Sequence, residues 1–188
     1  MRNDEDARLR VSSSLGIHSN WATVRQVHGA EVRHAGGPGL LGEGDAIITD
    51  ARDLPIAVFT ADCFGVILRS PSQVGVAHAG WRGAAAGVVA ALQKEMARLG
   101  HEPASAAIGP GIGPCCFEVG REVARLFPGR TATTSWGTES VDLEGVLRDQ
   151  LEGLEVWSDG RCTRHDDALL SHRRDRTAHR MAAIGWLG

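Results

Sequence analysis

The stretch VAHAGWRGAAAG, residues 76–87, marks the point at which a buried strand changes into a helix. The apolar run before His78 predicts a strand, and the alanine-rich run that begins at Gly83 predicts a helix. A plain connection between two such elements needs only a glycine and a capping residue. This junction also carries His78, Trp81 and Arg82. The excess of reactive side chains indicates a functional site.

Short apolar segments on both sides of this junction predict a sheet-rich domain. We predict strands at 21–27, 46–49, 56–61, 65–70, 74–79, 106–109, 116–119, 154–158, 168–172 and 180–187, because each is apolar or β-branched and bounded by turn residues. Helices are predicted at 83–100, 121–127 and 140–154, and the glycine-rich segment 36–44 is predicted as a loop. Adjacent strands in the first half favour an α+β fold, with a layered mixed β-sheet and flanking helices, over regular βαβ alternation.

The composition is that of an ordinary globular protein. The chain has 188 residues, of which 43% are hydrophobic and 23% charged, and this suits one domain over residues 1–188. The net charge of −3 gives no reason to expect nucleic acid as a partner. No apolar stretch reaches the roughly 20 residues that span a bilayer, and the charged start is unlike a signal peptide. We therefore expect a cytoplasmic protein without a membrane partner, as a monomer or weak homo-oligomer.

Three polar residues, His28, Cys63 and His78, follow or close predicted strands. Strand ends are rigid and can meet at one edge of a sheet. Two imidazoles and one thiolate are good ligands for Zn²⁺, and three protein ligands leave a fourth position open, as in catalytic zinc sites. The same residues also suit a Cys63 nucleophile whose histidine base is oriented by Asp62 or another carboxylate. A buried thiol with two unrelated histidines is the third interpretation, and the spacing alone does not separate the three.

The other cysteines, Cys115, Cys116 and Cys162, are predicted to be structural thiols. A reducing cytoplasm argues against disulfides. Adjacent side chains face different directions, so Cys115 and Cys116 are not expected to hold one metal ion together. The surrounding segment 108–120 is dense in glycine and proline, which predicts a rigid loop of the kind that lines a pocket.

Arginines near these elements are candidates for an anion site. Arg82 lies between Gly80 and Gly83, where it can make a bidentate contact with phosphate or can simply pair with a surface acid. The segment 171–187 carries four arginines and two histidines. Such a run is typical of a solvated basic turn, and it would also suit the rim of an anion-binding site.

Seven segments together resemble the YfiH-like laccase-domain proteins. In chain order they are RQVHGAEV, DAIITD, TADCFGVIL, VAHAGWRG, IGPGIGPCCFEVG, RCT and SHRRD, and the resemblance covers nearly the whole chain. Members of this family are described as purine nucleoside phosphorylases, polyphenol oxidases or peptidoglycan editing factors. The resemblance implies a layered α+β fold related to that of certain cysteine hydrolases. It also implies that His28, Cys63 and His78 bind zinc, with Cu²⁺ as the alternative ion.

The activity implied by the resemblance is zinc-dependent phosphorolysis of purine nucleosides. The expected substrates are adenosine, inosine, guanosine and methylthioadenosine, which yield the free base and ribose 1-phosphate, with adenosine deamination as a side activity. The partners are then a small nucleoside and phosphate. The resemblance makes Arg8 the first candidate for phosphate binding, followed by Arg82 and Arg180, and we add Asp45 to the substrate-binding set.

Relatives also carry a further N-terminal segment that helps to build the substrate pocket, and we expect this chain to lack it. Three alternatives therefore stay open beside the phosphorylase. They are a Cys63-dependent amidase or hydrolase that edits peptidoglycan precursors, a copper-dependent polyphenol oxidase, and an inactive metal-binding scaffold. Oxidation of phenols by several copper ions requires more histidines than one His–Cys–His site provides.

Overall fold

The computed structural model describes residues 5–188. Six helices are formed in this range: α1 (Glu5–Leu15), α2 (Trp81–Ala85), α3 (Val88–Arg98), α4 (Arg121–Ala124), α5 (Leu143–Gln150) and α6 (His172–Asp175). Twelve strands accompany them: β1 (Ala22–Arg25), β2 (Val32–His34), β3 (Gly39–Glu43), β4 (Ala46–Thr49), β5 (Ile56–Thr60), β6 (Phe64–Arg69), β7 (Val74–Ala79), β8 (Ser105–Ile108), β9 (Thr131–Thr133), β10 (Glu139–Val141), β11 (Glu155–Ser158) and β12 (Met181–Gly185).

The largest sheet has six strands in the order β11-β8-β6-β7-β4-β2. Its central strands β8, β6, β7 and β4 pair antiparallel, and the outer strands β11 and β2 each pair parallel to their neighbour. A four-stranded mixed sheet has the order β12-β5-β1-β3, and β9 and β10 form a short hairpin. The mixed pairing confirms the predicted α+β class.

The two large sheets pack face to face because alternate residues of a strand point to opposite sides. On β5, Ile56 and Val58 join an inter-sheet core with Val74 and Val76 of β7. The other face of β5 carries Ala57 and Phe59, which pack with Trp21. Every residue of β5 is buried, so this strand lies in the middle of the layers.

Helices cover the outer faces of both sheets. On the six-stranded sheet, Val88, Leu92 and Met96 of α3 lie in the main core with residues of β4, β6 and β7. Val11 of α1 packs on the Trp21 cluster at the outer face of the four-stranded sheet. The fold is therefore helix, sheet, sheet and helix in layers. Between residues 5 and 188 no helix has the length and apolar character of a membrane span, and the longest have 11 residues.

Several sequence-based boundaries were wrong. The helix expected over 83–100 is interrupted between α2 and α3, where Gly87 adopts φ 76° in the left-handed region that favours glycine. The segment 36–44 is not a plain loop, because β3 pairs parallel with β1. Segments 116–119 and 168–172 do not form the expected strands. The elements α1, β2, β9, β10 and α6 were not predicted.

Candidate functional site

Strand register brings the three candidate metal ligands together. In the pairing of β6 with β7, Phe64 lies opposite Ala79, so Cys63 just before β6 comes beside the end of β7 that carries His78. His28 follows β1, and its ring centroid lies 4.8 Å from that of His78, in an edge-on arrangement. The ligand atoms of His28, Cys63 and His78 all lie within 4.8 Å of one another. The predicted cluster therefore exists as a spatial group.

Asp45 organises two of these three residues from behind. Its side chain is completely buried, and Oδ1 lies 2.8 Å from Nδ1 of His78. The backbone nitrogens of Val27, His28 and Gly29 also donate to its carboxylate, at 3.0, 3.0 and 2.7 Å. These bonds hold His28 at φ 61°, a left-handed conformation that histidine adopts more readily than most residues. Asp45 thus fixes the turn that carries one ligand and the ring of another.

The hydrogen bond to Asp45 decides which nitrogen of His78 faces the cluster. Because Nδ1 donates to the carboxylate, Nε2 is left for Cys63 or for a metal ion. Burial raises the pKa of Asp45, but the hydrogen bonds from His78 and from the amides of Gly29 and Val27 outweigh burial and lower it. A carboxylate behind a ligating imidazole is a common feature of zinc sites, where it sets the tautomer and strengthens the ligand.

The thiol of Cys63 is polarised by its two histidine neighbours. Burial raises the pKa of Cys63, but hydrogen bonds with His28 and His78 outweigh burial and lower it to about 7. Burial lowers the pKa of His78, whereas its hydrogen bonds with Asp45 and Cys63 raise it to about 9. Metal ligands must be deprotonated, and this thiol is close to that state at neutral pH.

The donor set fits Zn²⁺. Two imidazoles and one thiolate would supply three protein ligands, the number found in catalytic zinc sites, and all three residues line the cavity. The backbone makes room for this group, because a Cβ atom added at Gly80 would lie 2.8 Å from Sγ of Cys63. Glycine is therefore required at the point where the chain leaves β7 and passes the cluster. The close approach to Cys63 therefore explains why the strand-to-helix junction has glycine at position 80.

A cavity of about 460 Å³ opens beside the cluster. His28, Cys63 and His78 form part of its wall. Apolar side chains line it as well: Phe59, Ala61, Trp81, Ile112, Phe117 and Leu143. The loop 108–120 was predicted to line a pocket, and two of its residues are in this wall. The site thus combines a candidate metal centre with an apolar surface.

Of the three arginines predicted to bind phosphate, two line the cavity and one does not. Arg82 and Arg180 line the cavity, whereas Arg8 is not among the described residues that line it. The guanidinium of Arg8 instead lies 5.2 Å from the ring centroid of Trp21. Asp45 was predicted to contact substrate, but it is buried behind His78 and does not face the cavity. Its role is to position His78.

Sequence reasoning did not single out one residue of the site, Arg173, and it gave another, Asp62, a different role. Arg173, within the basic run 171–187, lines the cavity with its guanidinium 5.4 Å from the Phe117 ring. Asp62 does not orient a histidine; its carboxylate accepts hydrogen bonds from the hydroxyl of Thr163 and the amide of Arg173, both at 2.7 Å. The SHRRD motif was the available signal for Arg173. No local pattern could reveal a bond between residues 101 positions apart.

The chain matches a protein family over residues 3–188. The family is described as multi-copper polyphenol oxidoreductase laccase. The chain belongs to this family, as the motif resemblance implied.

Similar proteins carry the name purine nucleoside phosphorylase. Purine nucleoside phosphorylase ORF3 of Streptomyces griseus is 39% identical over 198 residues, which cover 96% of this chain and 80% of that protein. A purine nucleoside phosphorylase of Deinococcus radiodurans is 37% identical, covering 95% of this chain and 75% of that protein.

Solved structures show the same fold. The hypothetical protein YfiH of Bacillus licheniformis superposes with a TM-score of 0.89 at 29% identity, covering 98% of this chain and 80% of that one. YlmD of Geobacillus stearothermophilus superposes with a TM-score of 0.88 at 31% identity, with the same coverage. The YfiH-like layered fold is therefore shown for this chain.

Proposed function

We propose that the chain is a zinc-dependent purine nucleoside phosphorylase that binds nucleoside and phosphate in the cavity beside His28, Cys63 and His78. The observation that carries this proposal is the presence of a metal-ligand cluster and three arginines in the wall of one cavity. Its volume of about 460 Å³ lies within the usual range for small-molecule sites. The name of the similar proteins supplies the class of reaction.

Arg82, Arg173 and Arg180 are the proposed phosphate-binding residues. Nη1 of Arg173 donates to the carbonyl of Glu118 at 3.0 Å, and Nη1 of Arg180 donates to the carbonyl of Thr177 at 2.7 Å. These bonds fix the two guanidinium groups and leave their other N–H groups for a ligand. Arginine suits phosphate because its planar fork can donate two parallel hydrogen bonds.

The apolar part of the wall is the proposed binding surface for the purine base. Phe59, Ile112 and Phe117 are buried around the cavity and present little hydrogen-bonding capacity. Trp81 is half-buried, and its indole is held under the Arg82 guanidinium at 4.3 Å. Flat apolar surfaces suit a purine ring and tolerate different exocyclic groups. We therefore propose adenosine, inosine, guanosine and methylthioadenosine as substrates, with adenosine deamination as a side activity.

The cluster is the proposed site of one zinc ion, held by His28, Cys63 and His78. When bound, zinc supplies a Lewis acid and lowers the pKa of water. The residues of the chain supply the rest: Asp45 holds the His78 ring, and the buried wall excludes solvent from one side of the cavity. Copper is the alternative ion for the same ligands.

The phosphorylase proposal is tested by the phosphate dependence of base release. Purified protein is incubated with inosine, with and without phosphate, and hypoxanthine and ribose 1-phosphate are measured by chromatography. We expect release of base only with phosphate. Replacing Arg173 by glutamine removes a bidentate donor, and a loss of about 1.4 kcal/mol or more corresponds to at least a roughly tenfold higher KM for phosphate.

Arg176→Gln is the matched control for Arg173→Gln. Arg176 lies three residues further on, is exposed, and is not among the residues that line the cavity. Its replacement should leave the KM for phosphate unchanged. Base release that does not depend on phosphate, or equal effects of the two variants, would contradict the proposal.

A Cys63-dependent amidase is the second candidate, because one observation favours it. Asp45, His78 and Cys63 form a carboxylate–imidazole–thiol series like that of cysteine hydrolases. Amide cleavage that survives removal of metal by a chelator, and that is lost in Cys63→Ala, would support it. Oxidation of a phenol after loading with Cu²⁺ would support the polyphenol oxidase instead. Absence of all these activities in a folded, metal-loaded protein would support the scaffold alternative.

A further inference from the structure

A second cluster of cysteine and histidine side chains is separate from the residues that line the cavity. It consists of Cys115, Cys116, Cys162 and His165, whose ligand atoms all lie within 4.8 Å of one another. The Sγ atoms of Cys115 and Cys116 are 3.6 Å apart, and Sγ of Cys115 is 3.7 Å from Nδ1 of His165. This arrangement corrects the expectation that the side chains of Cys115 and Cys116 face different directions.

We propose that Cys115, Cys116, Cys162 and His165 bind a structural zinc ion, distinct from the ion proposed at His28. Around tetrahedral zinc, with Zn–S bonds of about 2.3 Å and Zn–N bonds of about 2.0 Å, neighbouring ligand atoms lie roughly 3.5–3.8 Å apart. The distances at Cys115 already match this spacing. Three thiolates and one imidazole form a closed ligand set, which is typical of structural zinc sites.

The backbone around the cluster is held in place without the ion. Gly111 and Cys162 form a β-bridge, and the amide of Thr163 donates to the carbonyl of Gly111 at 3.0 Å. The amide of His165 donates to the carbonyl of Cys162 at 3.1 Å, so the Cys-x-x-His segment forms a turn with both side chains at the cluster. The site is thus prepared by local hydrogen bonds.

Hydrogen bonding to sulfur also favours a metal site. The amide of Gly113 donates to Sγ of Cys162 at 3.2 Å. Cys116 is buried, with 1% of its surface exposed, and its sulfur lies 3.6 Å from that of Cys115. A soft divalent cation would neutralise thiolates that otherwise repel one another.

The proposed ion would join two loops that build the cavity. Cys115 and Cys116 lie between Ile112 and Phe117, which line the cavity, and the loop at 162–165 carries the Thr163 hydroxyl that binds Asp62. Zinc at this position would hold these loops together from outside. The inference stands independently of the proposed phosphorolysis, because it requires no substrate.

The test is the metal content of three proteins purified in the presence of zinc. By elemental analysis, we expect two zinc ions per wild-type chain, one in Cys162→Ser and one in Cys63→Ala. Co²⁺ substitution then identifies which site remains. In Cys63→Ala the remaining cobalt ion would be bound by three cysteines of the second cluster, whereas in Cys162→Ser it would be bound by one cysteine, Cys63, at the first site. Charge-transfer absorption from thiolate to cobalt should therefore be stronger in Cys63→Ala.

His165→Ala provides a second variant if Cys162→Ser fails to fold, because the His165 side chain is exposed. It should weaken or abolish binding of the second ion, whereas His179→Ala, at another exposed histidine, should retain two ions. One zinc per wild-type chain that is lost in Cys63→Ala would overturn the proposal. So would a disulfide within the cluster, detected as fewer than four free thiols in the denatured, unreduced protein.

Discussion

Replacing Asp45 by asparagine tests whether the buried carboxylate sets the proton on His78. Oδ1 of Asp45 accepts from the amide of His28 and from Nδ1 of His78, and Oδ2 accepts from the amides of Val27 and Gly29. Asparagine offers one oxygen and one NH₂ group in the same space. Backbone amides cannot become acceptors, so we expect the oxygen to stay with Val27 and Gly29. The NH₂ group then faces His28 and His78.

The magnitude follows from these four bonds. Two bonds to the side chain fall from charge-assisted to neutral, at about 1 kcal/mol each, and the amide of His28 loses its acceptor, at about 1–3 kcal/mol. The total is about 3–5 kcal/mol, which lowers the Tm of a domain of this size by roughly 6–20 °C. His78 would accept through Nδ1 and carry its proton on Nε2. Zinc affinity should then fall by about 10–100-fold, as for other carboxylates behind a ligating imidazole.

Both quantities can be measured on the same protein. The Tm of the metal-free form is recorded by circular dichroism in the presence of a chelator. Zinc affinity is measured by competition with a chromophoric chelator in a Cys162→Ser background, so that the second cluster does not contribute. Asp50→Asn is the control, because Asp50 is exposed and follows β4 directly, as Asp45 precedes it. A wild-type Tm together with unchanged zinc affinity in Asp45→Asn would refute the reasoning.

Two further substitutions test the close packing around the site. Gly80→Ala places a Cβ atom 2.8 Å from Sγ of Cys63, so this substitution should displace the sulfur and reduce the zinc bound at the first site. Gly36→Ala is the control, because a Cβ atom there would have no other atom within 4 Å and zinc content should not change. Elemental analysis of the two variants compares their zinc content. Thr163→Val removes the 2.7 Å hydrogen bond to Asp62 and should lower the free energy of unfolding by about 1.5–3 kcal/mol in urea titrations. Thr163→Ser keeps the hydroxyl and should lose less, and equal losses would show that the bond is not responsible.

The central strands could be predicted from the sequence because burial leaves a direct signal. The segments 46–49 and 74–79 are continuous apolar runs bounded by turn residues, and they form β4 and β7 with the same bounds. The helix α1 could not be predicted in this way. Its sequence EDARLRVSSSL has one buried residue, Ser12, and Val11 packs on the Trp21 cluster, which only the tertiary fold creates. The strand β3 was not predicted, because its glycines are typical of a loop and it forms by pairing with β1.

The candidate ligands could be found from the sequence, but their supporting residues could not. His28, Cys63 and His78 are reactive residues at strand ends, and this is a local signal. The pairing of Asp45 with His78 depends on the register of β4 against β7, in which Ala46 lies opposite Ala77. A shift of this register would separate the two side chains. Sequence spacing carries no information about it.

The second cluster shows the same limit over a longer distance. Cys115 and Cys162 are brought together by the bridge between Gly111 and Cys162, which lie 51 positions apart in the sequence. Adjacent side chains diverge in an extended strand, and Cys115 and Cys116 were expected to face different directions because they are adjacent. The segment instead turns at 114–116, and this turn brings both sulfur atoms to one side.

The residues proposed to bind metal and those proposed to bind phosphate are held in place by different parts of the chain. His28, Asp45, Cys63 and His78 lie within the first 78 residues, and strand pairing among β4, β6 and β7 positions three of them. The backbone of Arg173 is held beside the cavity by the hydrogen bond from its amide to Asp62, 111 residues earlier. Loosening this contact, as in Thr163→Val, should raise the KM for phosphate while one zinc ion stays at the first site. Loss of that ion in Thr163→Val would show that the two parts form a single unit, and this separation would be wrong.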